Sequence, residues 1–333
     1  MMGVVQDTGR CIKMEVEIIS KEILKPSSST PQHLRTYKLS VLDQLAPPLY
    51  IPIILFYSPP CENFCKNSDH LKESFSRTLT HFYPFAGRVK DDFSIDCNDD
   101  GAAFIEARVS GDMSMVIEQA DINEHQQLLP CSPYAKISKL STDQVTLAVQ
   151  VNYFNCGGMA ISICIWHAVA DGSALATFVK SWAAITRDPN NVLDEVAIAN
   201  WPEIESSALN YNSLAGKLDE SIRKMNDEYI RKFHAGGGYF NFIKRAREEV
   251  MKGSNMVVFS FSSWCKFPFY EADFGWGKPI RLSPALQLNR VAIFLDTADG
   301  EGIEAWISLS KEDMVMFEQH PGIFTYASFS PSI

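Results

Sequence analysis

Long apolar runs are missing from this sequence, and its longest candidates, Tyr50–Tyr57 and Met159–Trp166, have strand length rather than the roughly 18 residues of a membrane-spanning helix. Basic residues are in deficit, with 30 Lys and Arg against 40 Asp and Glu and a formal charge of −10. A nucleic-acid binder needs a basic face, so that class is excluded. The 46% hydrophobic and 21% charged residues indicate a soluble globular protein, and 333 residues favour two domains.

Cysteine is also scarce, because eight in the whole chain are too few and too scattered for a disulfide framework. Cys61 and Cys65 form the one close pair, without a second pair or a histidine at finger spacing, so no metal site is predicted. The first residues lack the apolar segment of a secretory signal. We expect free thiols in a cytoplasmic protein, with 1–13 as an extension before Met14.

Apolar and polar residues alternate over 145–153, and the alternation resumes over 161–165 after the break at 157–158. This period predicts two adjacent half-buried strands, arranged as a hairpin or as neighbours in a sheet. Later segments with strand patterns are Val257–Phe261, Val291–Asp296 and Ile303–Leu309.

Helical spacing begins after Gly172, and the apolar residues from Leu175 to Ile185 predict a helix that ends near Arg187. Two further segments show the helical period: Asp69–His81 and Leu214–Phe233. Strands and helices in both halves indicate an α/β fold with mixed sheets flanked by helices.

The sequence HAVADG, residues 167–172, stands where an apolar strand gives way to this helix. A histidine at a strand end is rigidly held and can face a cleft, which suits a general base. Two other interpretations stay open. His167 could be a core histidine that continues the inward face of the strand, and Asp171 could be only the N-cap of the helix.

A second motif, DFGWG, occupies 273–277 and combines an acid, two aromatics and two glycines, as in a tight turn. Together with HAVADG it resembles the plant BAHD acyltransferases, which transfer acyl groups from acyl-CoA to alcohols or amines. The segments KPSSSTPQHLRTYKLSVLDQL, IPIILFY, LTHFYPFAGRV and ASFSPSI are similar to this family as well, closest to its alkaloid-acetylating members.

The resemblance implies a role for each motif residue. His167 would be the catalytic base, Asp171 and Gly172 would shape the loop, and DFGWG would be structural, namely Asp273, Phe274, Gly275, Trp276 and Gly277. Ser262 or Trp264 would stabilise the oxyanion, and the alternative for Trp264, a core aromatic, explains it nearly as well. Acyl-CoA, with acetyl-CoA favoured, would be the co-substrate and a small alcohol or amine the acceptor. A monomer without a tightly bound cofactor is implied, with neither nucleic acid nor membrane as partner.

The resemblance also implies a two-domain architecture like that of chloramphenicol acetyltransferase, with a truncated second domain. Compared with the family, the chain lacks a segment between Arg187 and Ser206, including an arginine that pairs with Asp171. The expected organisation is an extension at 1–13, a first domain at 14–190, a shortened crossover at 191–205 and a partial second domain at 206–333. The alternative function is therefore an inactive truncated or splice-variant homologue that acts as a binding partner; an incomplete gene model is a third possibility.

Overall fold

The structure is a computed structural model that describes residues 14–40, 43–44, 46–59, 68–91, 93–119, 122–135, 144–189, 259–324 and 327–328. The chain divides into two compact units, 1–198 with 260–333, and 199–259. The first unit holds all the described residues except one, and it is the unit described below. The predicted helix over Leu214–Phe233, the crossover at 191–205, the extension at 1–13 and the Cys61–Cys65 pair lie outside the described residues.

The larger sheet has six strands in the order β1-β6-β7-β8-β3-β10. Its strands are β1 (Glu15–Leu24), β3 (Tyr50–Tyr57), β6 (Ala102–Ser110), β7 (Leu147–Phe154), β8 (Met159–Trp166) and β10 (Arg281–Ser283). The β6–β7 pair is parallel and the other pairs are antiparallel, so the sheet is mixed, as predicted. A small sheet of β2 (Thr36–Lys38), β4 (Arg88–Asp91) and β5 (Ser94–Asp96) lies apart from it.

The central strands β7 and β8 form the predicted hairpin, but they are not half-buried. Every residue of β8 is buried, and β7 buries the polar side chains of Gln150 and Asn152 as well. The cost of burying these amides is offset by hydrogen bonds. Asn152 Nδ2 donates to Leu128 O at 3.0 Å and to Ser162 Oγ at 3.1 Å, and Gln150 Nε2 donates to Asn152 Oδ1 at 2.8 Å. An alternating pattern therefore marks a fully enclosed strand here.

Among the described residues, the helices α1 (Ser68–His81) and α4 (Gly172–Arg187) pack on this sheet, where Phe104 of β6 contacts Phe75 and Trp182. Their apolar stripes meet in an aromatic cluster in which Phe75 contacts Phe178 and Trp182 edge-on, with ring centroids 6.0 and 5.1 Å apart. Polar bonds fix the contact, since Trp182 Nε1 donates to Ser74 Oγ at 3.1 Å. Removing a fully buried Phe from such a cluster typically costs about 3–5 kcal/mol. The short helices α2 (Met113–Gln119) and α3 (Ile122–Gln127) follow β6.

The C-terminal part of the chain forms a three-stranded sheet in the order β12-β11-β9, where β9 is Ser260–Ser263, β11 is Val291–Asp296 and β12 is Ile303–Ser308. β11 and β12 agree with the predicted strands. The short helices α5 (Lys311–Glu318) and α6 (Pro321–Phe324) follow.

An ion pair between the largely buried side chains of Arg281 on β10 and Glu304 on β12 links the six-stranded sheet to the β12-β11-β9 sheet. Burial raises the pKa of Glu304 above its usual value even beside this arginine. The C-terminal residues thus contribute both an edge strand to the large sheet and a sheet of their own.

Candidate active site

His167 directly follows the last residue of β8, where the strand ends and the chain turns into α4. Its backbone N–H donates to Leu49 O at 3.0 Å, and the turn is closed by Val169 N donating to Trp166 O at 2.9 Å. The residue is half-buried, its Nδ1 is buried, and this nitrogen has no hydrogen-bond partner among the described residues. A core histidine would be expected to satisfy that atom with a hydrogen bond.

Asp171 is the N-cap of α4, as the first interpretation of this residue proposed. Its side-chain Oδ1 accepts a hydrogen bond from Ala174 N at 2.8 Å, and Leu175 N donates to its carbonyl oxygen at 3.0 Å. These bonds satisfy backbone donors that the first helical turn would otherwise leave unpaired. Within the described ranges Asp171 forms no ion pair. Its visible role is to start the helix that follows His167.

Gly172 brings the C-terminal half of the chain against this turn. A Cβ at Gly172 would stand 3.0 Å from Phe267 Cε2 and 3.4 Å from Trp264 Nε1. The Phe267 distance is tighter than a normal carbon contact, so a side chain here would press on that ring, whereas the Trp264 distance is an ordinary van der Waals contact. The glycine of HAVADG therefore joins the histidine turn to the segment that follows β9.

Ser262 and Trp264, the two predicted oxyanion donors, are hydrogen-bonded to each other. Trp264 is buried at 7% exposure, its backbone N–H donates to Phe294 O at 2.8 Å, and its indole Nε1 donates to Ser262 Oγ at 3.1 Å. Trp264 is thus a core aromatic whose polar atom is already used. Because Ser262 Oγ accepts this bond, its own proton is left to donate elsewhere, and Ser262 lies on the exposed strand β9.

The DFGWG loop is a self-contained turn. Asp273 Oδ1 accepts from Gly275 N at 2.8 Å and from Gly277 N at 3.0 Å, and both glycines have positive φ, 106° and 108°. Phe274 is fully buried, and Trp276 stacks on it with ring centroids 5.3 Å apart. The aspartate therefore folds the loop by accepting backbone bonds.

This loop docks on the C-terminal half of α4. Phe274 packs edge-on against Trp182 at 4.9 Å between ring centroids, and Asp273 Oδ2 lies 3.6 Å from Arg187 Nη1. Tyr57 O–H donates to Ala272 O at 2.9 Å from β3. HAVADG and DFGWG are thus brought to one helix, the first at its N-terminal end and the second toward its C-terminal end.

Neither a metal centre nor a membrane span is seen in the part of the chain that the structure describes. No group of three or more His, Cys, Asp and Glu side chains there is placed to hold a metal ion. The helices described there are too short or too polar to cross a membrane.

Comparison with known proteins identifies the family. The sequence profile of the Transferase family matches residues 14–200 and 190–323. The chain belongs to the BAHD acyltransferase family. This BAHD member is 35% identical over 431 aligned positions to limonoid 21-O-acetyltransferase of Citrus sinensis, with 96% of this chain and 100% of the relative covered. The acyl-CoA-dependent acyltransferase class inferred from the motifs is confirmed.

Solved structures confirm the fold. The crystal structure of vinorine synthase superposes with a TM-score of 0.73 at 27% identity, covering 91% of this chain and 96% of that one. The TRI101 protein of F. sporotrichioides, solved with coenzyme A and T-2, superposes with a TM-score of 0.56 at 15% identity, covering 88% and 99%. The second of these shows the common architecture only.

The comparisons also bear on the missing segment. The alignment with the Citrus enzyme runs over 431 positions and covers that protein completely, whereas the BAHD chain has 333 residues. The relative therefore has residues at many internal positions where this chain has none. The two profile matches overlap at 190–200, which lies between Arg187 and Ser206.

Two contacts at the site were not foreseen from the sequence. Phe267 contacts Gly172, and Arg187 pairs with Asp273. No sequence period relates residues so far apart, although the basic residue at the end of α4 and the acid of DFGWG are an obvious pair once the fold is known.

Proposed function

We propose that this chain transfers an acetyl group from acetyl-CoA to a hydroxyl, or an amine, of a plant specialised metabolite, with His167 as general base. The observation that carries the proposal is the half-buried His167 ring at the end of β8. Its Nδ1 is buried and has no partner among the described residues, so Nε2 is the ring nitrogen that would meet the acceptor. The name of the Citrus relative specifies acetyl transfer to a limonoid oxygen, and vinorine synthase supports the alkaloid alternative for the acceptor.

His167 acts in this proposal on the acceptor hydroxyl. Its Nε2 takes the proton as the acceptor oxygen attacks the thioester carbonyl, and the carbonyl π electrons move onto oxygen to give a tetrahedral intermediate. When the intermediate collapses, the C–S bond breaks and the CoA thiolate leaves with its electron pair. The imidazolium then returns the proton to that thiolate, so the enzyme is regenerated.

Ser262 supplies the oxyanion donor. The Trp264 indole N–H fixes Ser262 Oγ as an acceptor at 3.1 Å, which turns the hydroxyl proton away from the indole. A preorganised donor of this kind is typically worth about 3–4 kcal/mol in the transition state. Trp264 then positions the serine rather than contacting the oxyanion itself. A base, a donor and a held thioester suffice for the chemistry, so no tightly bound cofactor is required.

The test is acyl transfer by the purified chain. Acetyl-CoA and a panel of limonoid and alkaloid alcohols are supplied, and acetylated products are sought by mass spectrometry. We expect His167→Ala to abolish product formation. His33→Ala, which changes an exposed histidine far from His167 in sequence, should leave product formation unchanged. Turnover by His167→Ala at the parent rate would refute the proposed base.

A second candidate function, binding without catalysis, is favoured by the internal positions that the chain lacks relative to the Citrus enzyme. In this case coenzyme A would bind, as measured by calorimetry, while no acceptor is acetylated. Sequencing genomic DNA and transcripts between the codons for Arg187 and Ser206 distinguishes a true deletion from an unrecognised exon.

The proposal includes a cytoplasmic location and a monomeric active form. A fluorescently tagged chain in plant cells tests the first, and light scattering after gel filtration tests the second. Tag fluorescence confined to an organelle, or a stable dimer, would contradict these two expectations.

A further inference from the structure

Cys131 and Cys164 lie side by side next to the strand end that carries His167. Cys164 belongs to β8 and is fully buried, and its Sγ lies 3.7 Å from Cys131 O, to which the thiol donates. Cys131 is partly exposed, so the pair combines one thiol that solvent reaches with one that it does not.

The segment that carries Cys131 is fixed to the same strand end as the histidine. Pro133 O accepts from Tyr50 N at 2.8 Å, and the residue before Tyr50, Leu49, accepts from His167 N at 3.0 Å. A covalent bond between Cys131 and Cys164 would therefore tie this segment to β8 three residues before His167.

We propose that Cys131 and Cys164 form a redox-sensitive pair that closes to an intrachain disulfide in the presence of a peroxide. The Cys131 thiolate attacks one oxygen of hydrogen peroxide, the O–O bond breaks, and Cys131 becomes a sulfenic acid. The Cys164 sulfur then attacks the Cys131 sulfur, and the oxygen leaves as water. In total two thiols and one peroxide give one disulfide and two waters.

The environments of the two thiols set the order of these steps. Burial and the adjacent Cys131 raise the pKa of the Cys164 thiol well above its usual range. A thiol held protonated and away from solvent is a poor first target for oxidants. Cys131 is therefore oxidised first, and Cys164 resolves it.

The experiment treats the reduced full-length chain with hydrogen peroxide, blocks remaining thiols with iodoacetamide and analyses a tryptic digest by mass spectrometry. We expect a peptide pair linked through Cys131 and Cys164, which separates on reduction. A higher thermal unfolding midpoint should accompany it, because the cross-link restricts the unfolded chain. Cys156→Ser, at an exposed turn position, is the matched control and should still form the link. In Cys164→Ser, Cys131 should remain as a sulfenic or sulfinic acid.

Oxidation that appears at Cys156 while Cys131 and Cys164 stay unlinked would overturn the proposal, as would a disulfide that joins either cysteine to another partner. The linked peptide is measured in the unaltered chain, so the result stands even if a serine variant does not fold. It is also independent of whether the chain acetylates any acceptor.

Discussion

Gly172 and Trp264, which are 92 positions apart in sequence, lie against each other: a Cβ on the glycine would stand 3.4 Å from the indole Nε1. That indole nitrogen is the one that holds Ser262 Oγ. The first residue of α4, in the turn after His167, therefore packs against the indole that holds the proposed oxyanion donor.

Substituting Gly172 by Ala tests this contact. Helix propensity alone favours Ala by up to about 1 kcal/mol. The added methyl, 3.0 Å from the Phe267 ring, should instead lower the free energy of unfolding by about 1–3 kcal/mol through overpacking. Urea unfolding measures the change, with Ser173→Ala on the same helical turn as control. A Gly172→Ala chain as stable as its parent would show that the rings move aside freely.

Substituting Ser262 by Ala should lower kcat by roughly 10²–10³-fold with little change in KM, because the hydroxyl acts on charge that develops only in the transition state. Trp264→Phe keeps the ring but removes the N–H, so we expect a smaller loss, about tenfold. In the double variant the Trp264 change should add nothing further. Steady-state kinetics decides, with Ser263→Ala as control; equal rates for Ser262→Ala and Ser263→Ala would exclude Ser262.

Asp171 offers a test of a purely structural acid. Asp171→Ala removes the acceptor of the Ala174 N–H and should lower the free energy of unfolding by about 1 kcal/mol, whereas Asp171→Asn should be nearly neutral because Asn caps equally well. Ser310→Ala, which removes the N-cap of α5, provides a comparison. If Asp171→Asn were as damaging as Asp171→Ala in urea unfolding, the charge itself would matter.

Asp273 makes two kinds of interaction, and we expect them to contribute unequally to the free energy of unfolding. Asp273→Ala deletes the acceptor for Gly275 N and Gly277 N and should cost about 1–3 kcal/mol. Asp273→Asn and Arg187→Ala remove only the ion pair, in which Arg187 is half-exposed, and should cost under about 1 kcal/mol. Denaturant midpoints of the three variants give the order, and a large loss in Arg187→Ala would reverse this assignment.

Glu106 predicts a pH dependence. Burial raises the pKa of Glu106, but the polar interactions with Ser68, Lys72 and Ser20 and the charge of Lys72 more than offset this, so the pKa lies below the usual value. A carboxyl whose pKa is lowered in the folded state stabilises the protein at pH values above its unfolded-state pKa, about 4.3. This stabilisation is lost as the pH falls from there through the folded-state pKa. Glu106→Gln should therefore flatten the fall of the thermal midpoint below about pH 5.

The control for this pH series is Glu17→Gln, which alters an exposed ion pair with Arg108 on the same two strands. An exposed pair contributes little to stability. The thermal midpoint of Glu17→Gln should follow that of the parent across the pH series. Identical curves for the parent, Glu17→Gln and Glu106→Gln would show that protonation of Glu106 does not affect stability.

Local periodicity predicted the positions of strands and helices better than it predicted the burial of their side chains. The hairpin of β7 and β8 and the helix α4 have the predicted positions because each depends on neighbours in sequence. The burial of Gln150 and Asn152 was not predictable in that way, since their partners include Leu128 and Ser162. A polar residue in a strand predicts solvent exposure only when the fold provides no hydrogen-bond partner for its side chain.

The site shows the same division. His167 and Asp171 were found because a strand end and an N-cap are local features, and Asp171 has the capping role derived for it. Trp264 could not be resolved from sequence between a core aromatic and an oxyanion donor. In the structure the ring is buried and its N–H donates to Ser262. The burial depends on the pairing of β9 with β11, which are distant in sequence.

The 16 residues of α4 act as a spacer of fixed length. At 1.5 Å per residue, the helix axis from Gly172 to Arg187 measures about 22 Å, so DFGWG is anchored more than one helical turn away from the proposed chemistry. Each residue also turns the helix by about 100°. A one-residue insertion within α4 would swing Trp182 and Arg187 off the face that meets Phe274 and Asp273, even though both motifs would remain intact in sequence. The distance between the two motifs along this helix is therefore itself a requirement of the fold.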